Sequence, residues 1–458
     1  MEERKNMKWI IVVATMLSVV TAYAASEATT VAPSTSVPIP SVPIQVTGTI
    51  PAERGTVLIV EDAIRVALKG SPGLQAIRAR AQALSQVPAQ KGALPDPSLS
   101  LQAANLPVDS FAVGQEAMTQ LQLGLAQTFP FPGKLGLMSA VADDQARMAD
   151  YDVSEWRLQL VRDIRTLWWR LAYLDRALEI VISNQALLRQ FVTIAQTKYR
   201  VGRGLQQDVL LAQLELSKML DQELVLRNQR QTDAVRINTL MGVEVGRVVI
   251  LPVLIDQNLP DVPPESEFLQ RAGQHRPALM RQDAAIAMAQ SGIDLARKDY
   301  YPDVTLGAAY GLRSGANPDG SGRADLLSLS ANIKLPVFAG ARQDRRLDQR
   351  QRELLEQRFQ KQDVTNRVNS EVAVAYADFV RARQQTRLFL QGIIPQANQT
   401  VASMRSGYEV NKVDFLNLIR AQVTLFSYQT RYWLTLSQAH EALARLFAAT
   451  GQENFDEY

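Results

Sequence analysis

The sequence contains no cysteine. That absence excludes disulfides, thiolate metal sites and acylation of an amino-terminal Cys. Histidine is nearly as scarce, with only His275 and His440, so no imidazole pair stands at ligand spacing. No Gly-rich phosphate loop and no nucleophile with a neighbouring His is present either. The chain therefore reads as a non-enzyme that needs no cofactor or metal. Neither sign of charge dominates: 49 Lys and Arg face 46 Asp and Glu, interleaved along the chain, which gives nucleic-acid binding no support. Aromatic residues make up only 7%, and the abundance of Ala, Leu, Gln and Arg favours long helices. Beyond the first 25 residues no apolar run approaches the ~20 residues a spanning helix needs, so any membrane crossing must use strands.

At the amino terminus, Lys5 and Lys8 precede an apolar run from Trp9 to Val20, and Ala22-Tyr23-Ala24 follows with small residues. Residues 1–24 read as an export signal, the run being short for an uncleaved anchor. Residues 25–56 carry Pro33, Pro38, Pro40, Pro43 and Pro51 without helical period, and read as an extended tail.

The remainder repeats itself. Tyr199, Val201, Ala212, Gln213, Leu216 and Gly242 recur 209 positions later as Tyr408, Val410, Ala421, Gln422, Leu425 and Gly451. Pro95, Asp96, Phe131 and Gly133 recur 207 later as Pro302, Asp303, Phe338 and Gly340. One unit is duplicated over 57–242 and 264–451, with a Pro-rich connection at 243–263 and a short tail at 452–458.

Each unit opens with a helix, near Glu61 with a break at Ser71-Pro72, and near Glu265 with a break at Pro277. At the Pro-Asp pairs the period changes from helical to alternating. Leu99, Leu101 and Ala103 alternate with small polar residues, as do Leu121, Leu123 and Leu125. The second unit repeats this with Val304, Leu306, Ala308, Tyr310 and Leu312, then Leu327, Leu329, Ala331, Ile333 and Leu335. Such segments suit tilted membrane strands, with one face for lipid and one for a polar lumen. Taken alone they also fit soluble hairpins packed on helices. Four strands are too few to enclose a pore, and three copies giving twelve is the simplest closure.

After Phe131-Pro132-Gly133 and Phe338-Ala339-Gly340 come helical stretches over 134–198 and 341–407, free of proline until Pro395. At ~1.5 Å per residue each extends ~100 Å, beyond the needs of a globular core. Each turns at a polar tip and returns as a helix of about 37 residues, forming antiparallel coiled hairpins. Trp168 and Trp169 are adjacent and cannot share a helix face, so one belongs in an inter-helix seam and the other near the 243–263 connection.

This duplicated strand-helix order, the tips Tyr199–Gln213 and Tyr408–Gln422, and the Phe-x-Gly closures resemble the TolC family of outer-membrane efflux channels. The resemblance covers residues 57–451, and the stretch Gln127–Lys134 is most similar to the heavy-metal resistance branch. It implies a mainly α fold with a membrane β-barrel: a homotrimer whose twelve-stranded barrel continues into a twelve-helix periplasmic tunnel. Its implied partners are outer-membrane lipid, a periplasmic adaptor and an inner-membrane pump of the RND or ABC type. Its implied function is a passive exit duct in tripartite efflux. A type I protein-secretion conduit uses the same architecture, and a soluble periplasmic coiled-coil scaffold is the remaining rival.

In such channels a Tyr and an Asp on neighbouring hairpins hold the tip closed, and Tyr408 and Asp208 stand at the matching places. Packing of Tyr408 beneath its turn and helix capping by Asp208 is the alternative. Where better-known members carry acidic rings, this chain has Asn417 and Arg420, with Glu409 and Asp414 near enough to replace the acids or simply to be solvated. The implied adaptor-docking turns are Val201, Gly202, Arg203 and Gly204, and Val410, Asn411 and Lys412, with Arg203 where an apolar residue is usual.

Overall fold

A computed structural model describes residues 57–410 and 412–453. The export signal, the Pro-rich tail, Asn411 and residues 454–458 lie outside the described residues.

Within 57–453 the two units follow one plan. The first holds α1 (Val60–Gly70), α2 (Pro72–Leu84), α3 (Val87–Gly92), β1 (Ser98–Ala104), β2 (Gln120–Phe129), α4 (Lys134–Arg200) and α5 (Gln206–Met241). The second holds α6 (Glu265–His275), α7 (Pro277–Lys298), β3 (Val304–Leu312), β4 (Leu326–Ile333), α8 (Gln343–Leu388), α9 (Ile394–Glu409) and α10 (Phe415–Thr450). Helices α2 and α3 of the first answer to the single α7 of the second, and α4 of the first to α8 and α9 of the second. Pro72 and Pro277 occupy first helical positions, where a missing N–H costs nothing, so the chain breaks before each and restarts at once.

The helices return to these breaks. Gly242 and Gly451 end α5 and α10 with φ of +69° and +84°. A Cβ on Gly242 would stand 2.4 Å from the Gly70 carbonyl oxygen, and one on Gly451 would stand 2.6 Å from that of His275. Only glycine satisfies both the left-handed turn and this approach.

Between α8 and α9 lies a single π turn, Phe389–Ile393. Its cause is Pro395, which offers no N–H to the carbonyl four residues back; the helix widens, and Ile394 N–H reaches the Phe389 carbonyl instead. The first unit has no such turn: α4 runs 67 residues unbroken.

The four strands form one antiparallel sheet in the order β1-β2-β3-β4. Its register aligns Leu99, Leu125, Ala308 and Leu329 in one row and Leu101, Leu123, Tyr310 and Leu327 in the next. These rows share a face, and all of these leucines are exposed. The opposite face carries Ser100, Gly124, Ala309 and Ser328 in one row. Among the described residues no helix is long and apolar enough to cross a membrane. Both β1 and β4 present unpaired edges within the protomer, and unpaired backbone polar groups are not tolerated in lipid. Twelve-strand closure by three copies supplies every edge with a partner.

At the strand-to-helix junction the second unit grips the first. Lys134, buried at the start of α4, donates from Nζ to Asp303 Oδ1 at 2.9 Å and to the Tyr301 carbonyl at 3.2 Å. The Phe131 N–H donates to the same Asp303 oxygen at 2.8 Å, and the Phe131 ring stacks on Tyr301 at 4.4 Å. Burial pushes the Asp303 carboxyl up, but Lys134 and the Phe131 N–H outweigh it and hold it below its usual range. At the far end of the sheet, Arg323 joins the two polar loops by donating to the Gly114, Glu116 and Ser314 carbonyls.

Residues 243–263 hold no helix, and among the described residues their one bridge is parallel, from Ile250 to Val57. The adjacent tryptophans divide as expected: Trp168 donates to the Leu58 carbonyl beside this segment at 2.9 Å, and Trp169 stacks flat on His440 of α10 at 3.5 Å. His440 is buried, its Nε2 without a hydrogen-bond partner, and burial depresses its pKa to about 3 against a smaller opposing influence from Asp256.

Candidate functional site: the two helical tips

Both tips are built by one hydrogen-bond pattern shifted by the repeat. In the first, Val201 N–H reaches the Thr197 carbonyl and Arg203 N–H the Lys198 carbonyl at 2.9 Å. In the second, Val410 N–H reaches the Ser406 carbonyl and Lys412 N–H the Gly407 carbonyl at 2.8 Å. These bonds satisfy the last carbonyls of α4 and α9. Gly202 takes φ +69° to allow the reversal; its counterpart Asn411 is outside the described residues.

The two turns expose apolar side chains at matching positions, Val201 at 63% and Val410 at 62%, with Leu205 exposed beside the first. Arg203 and Lys412 are also exposed, and Gly204 is half-buried. The docking candidates thus form two small apolar knobs with cationic neighbours.

Tyr408 lies on the last turn of α9, half-buried against the core of the hairpins, where Leu174, Val181, Leu188 and Ile419 meet. Its ring is held between Phe415, with centroids 5.5 Å apart, and the Lys198 ammonium, 3.8 Å from the ring centre. Burial raises the Tyr408 pKa, and the nearby Asp208 carboxylate raises it further. The phenol is therefore a neutral donor near neutral pH.

Asp208 sits in the first turn of α5, half-buried, with no hydrogen bond or ion pair to its carboxylate among the described residues. It does not cap that helix by a side-chain bond: Leu205 is the cap residue, and Asp208 bonds back only through its N–H, to the Leu205 carbonyl. No hydrogen bond joins Tyr408 to Asp208 within the protomer. A half-buried carboxylate and a half-buried phenol therefore face each other's vicinity with bonding capacity unused.

The remaining candidates are exposed along the second tip. Asp414 occupies the cap position of α10 without a side-chain capping bond. Asn417 and Arg420 follow on that helix, exposed one turn apart. Glu409 pairs with Arg405 at 3.4 Å.

Sequence reading missed a packing device at the tips. A Cβ on Gly204 would meet the Lys198 Cβ at 3.0 Å, and a Cβ on Gly407 would meet a Val413 methyl at 2.5 Å. Residues 198 and 407 are repeat equivalents, as are 204 and 413. The first tip pairs large with small, and the second exchanges them. The signal was present in the alignment of the two units, where a glycine moves from one partner to the other.

The family described as outer membrane efflux protein matches residues 63–243 and 268–452. Among curated proteins, Protein CyaE of Bordetella pertussis is 26% identical over 413 residues, covering 88% of this chain and 86% of that protein. The pyoverdine export outer membrane protein OpmQ of Pseudomonas aeruginosa is 24% identical over 75% of this chain and 69% of its own. Among solved structures, the outer membrane protein VceC of Vibrio cholerae superposes with a TM-score of 0.73 at 20% identity, covering 86% of this chain and 96% of that one. CusC superposes with a TM-score of 0.73 at 17% identity, covering 92% and 99%.

Proposed function

The chain belongs to the outer membrane efflux protein family, and on that premise we propose that Tyr408 and Asp208 hold the periplasmic mouth of its trimer shut while the two tips receive an adaptor. The protein is an outer-membrane channel of an efflux system, extending from the membrane into the periplasm. Energy comes from an inner-membrane pump of the RND type, and the channel is the passive exit for what that pump delivers.

The observation that carries the gate is the pairing of an unsatisfied carboxylate with a wedged phenol at the convergent ends of four helices. A phenol-to-carboxylate bond is charge-assisted, so a few such bonds around three protomers bias the closed state yet yield to a partner that binds the open one better. Lys198 and Phe415 fix the ring and lower the entropy lost on bonding. Val201 and Val410 offer apolar knobs to the helical tips of an adaptor, and Arg203 and Lys412 select a partner with acidic neighbours. Three copies of Arg420 place a cationic ring near the mouth, with Asp414 as the acid that opposes it.

The test is single-channel conductance in planar bilayers. Tyr408→Phe and Asp208→Asn each raise the conductance or open probability of the resting trimer, and the double variant adds little to either. If both single variants leave the resting conductance unchanged, the lock is wrong.

A further inference from the structure

We propose that the junction between the sheet and α8 binds the headgroup of an anionic glycerophospholipid from the periplasm-facing leaflet, one per protomer. The site goes beyond the gate reading and depends only on the outer-membrane location.

A cleft of about 410 Å³ opens there, lined by Lys334, Arg342, Gln343 and Arg346, with Leu335 and Tyr301 at its lip. Two acids also line it, and both are already engaged. Asp303 is held by Lys134 and the Phe131 N–H. Asp299 pairs with Arg346 at 2.8 Å, and Lys134 lies 3.7 Å away. Lys334 and Arg342 have no ion-pair partner among the described residues; Lys334 is near enough to act on Asp303, but Lys134, Lys334, Arg342 and Arg346 together outnumber Asp299 and Asp303 in the lining. It needs an anion. The Gln343 Oε1 is buried beside them with no hydrogen-bond donor, which suits a ligand that brings hydroxyl hydrogens as well as a phosphate.

The level of the cleft identifies the source. The lipid-facing alternation of β4 does not stop with the strand: Leu335 and Val337 continue it, exposed at 65% and 73%, and Phe338 is exposed beside them. On the neighbouring strand-helix junction Phe129 and Tyr301 are also exposed, and the Lys298 ammonium lies 5.4 Å from the Phe131 ring centre. Apolar and aromatic side chains edged by cations mark the boundary between acyl chains and headgroups. This boundary is at the helix end of the sheet, away from the loops joined by Arg323, and therefore in the inner leaflet. A phosphodiester with a glycerol head meets the two cations and the orphan amide oxygen together, while its acyl chains lie along Leu335, Val337 and Phe338.

The experiment uses the full-length trimer in nanodiscs of mixed phosphatidylglycerol and phosphatidylcholine. Native mass spectrometry counts the lipids retained after detergent stripping. Wild type retains phosphatidylglycerol over phosphatidylcholine, and Lys334→Gln with Arg342→Gln weakens that retention about thirtyfold, as two membrane-proximal cations should. Arg358→Gln, an exposed change on α8 more than two turns beyond the lining Gln349, leaves it unchanged. Trimer mobility on semi-native gels verifies assembly of each variant. Should the double variant fail to assemble, Phe338→Trp replaces it, with fluorescence quenched more by brominated phosphatidylglycerol than by brominated phosphatidylcholine. Equal retention of the two lipids, retention unaffected by the double variant, equal quenching, or displacement of the lipid by millimolar inorganic phosphate would each overturn the proposal. None of these outcomes bears on the conductance test of the gate.

Discussion

Leu329 and Ser328 are neighbours on β4, and the register assigns them to opposite faces of the membrane sheet. Replacing each in turn by Arg tests whether the leucine face meets lipid. The nine residues of β3, which pair along β4, rise ~3.3 Å each and span ~23 Å when tilted by ~40°, close to the ~25 Å apolar band of outer-membrane barrels. Leu329 is the fourth of the eight residues of β4 and so lies near the midplane. An Arg there costs ~2–4 kcal/mol per protomer, because the guanidinium must either enter hydrocarbon or drag water in. Three copies multiply the penalty. Ser328→Arg points into the lumen beside Ala309, where water solvates the charge, and costs under ~0.5 kcal/mol. The assay is urea-induced unfolding in lipid vesicles, read by tryptophan fluorescence and by loss of the trimer band on semi-native gels. If this leucine face, 79% exposed at Leu329, met water rather than lipid, Leu329→Arg would cost no more than Ser328→Arg. If Leu329→Arg folds as well as Ser328→Arg, the barrel assignment of this sheet fails.

Gly451→Ala loses ~1–3 kcal/mol from the helical region, since its Cβ would meet the His275 carbonyl and φ is +84°; Gly246→Ala, with open space around it, is near neutral in the same thermal melts followed by circular dichroism. His440 has its folded pKa depressed to about 3 by burial, so the unfolded chain takes up the proton first: the stability it contributes is complete above pH ~6.5 and is lost as pH falls towards 3. His440→Phe removes this component, and the gap between wild type and variant in denaturation midpoint therefore changes between pH 7 and 4.5, by about 2–3 kcal/mol of unfolding free energy. Arg420→Ala shifts the reversal potential of the open channel towards cation preference; an unchanged potential places Arg420 away from the constriction.

Much of the fold was legible because its punctuation is chemical. Pro72 and Pro277 announce helix restarts, Gly242 and Gly451 announce helix ends, and the switch from a helical to an alternating period after each Pro-Asp pair marks the strands. Repetition made each sign readable twice. Long-range contacts left no such mark. Nothing in the local sequence around Lys134 says that it is buried against Asp303, 169 residues away. Nor does the local sequence around His440 say that it stacks on Trp169. Pro395 was visible, but whether a helix kinks, breaks or widens into a π turn at a proline depends on what its flanks are packed against. At the tips, the candidate residues could be located but not their bonding, and the reading of Asp208 as a helix cap gives way to a carboxylate with its capacity unspent.

The differences between the two units are more informative about function than their likeness. Duplication alone would give two equal hairpins and two equal junctions. The first hairpin instead starts from a buried Lys134 locked to the second unit, and its long helix has no irregular turn. At the repeat-equivalent position the second has Ala341, and its helix opens with exposed arginines and passes through the π turn at Phe389–Ile393. A π turn trades a regular ladder bond for a longer one and concentrates bending there. The tip it leads to carries Tyr408, and the small-for-large exchange between Lys198–Gly204 and Gly407–Val413 lets the backbone of the second tip close tightly under that ring. Rigid anchorage thus belongs to one repeat, while Tyr408, the phenol proposed to gate the mouth, is carried by the repeat whose long helix already contains a place to bend.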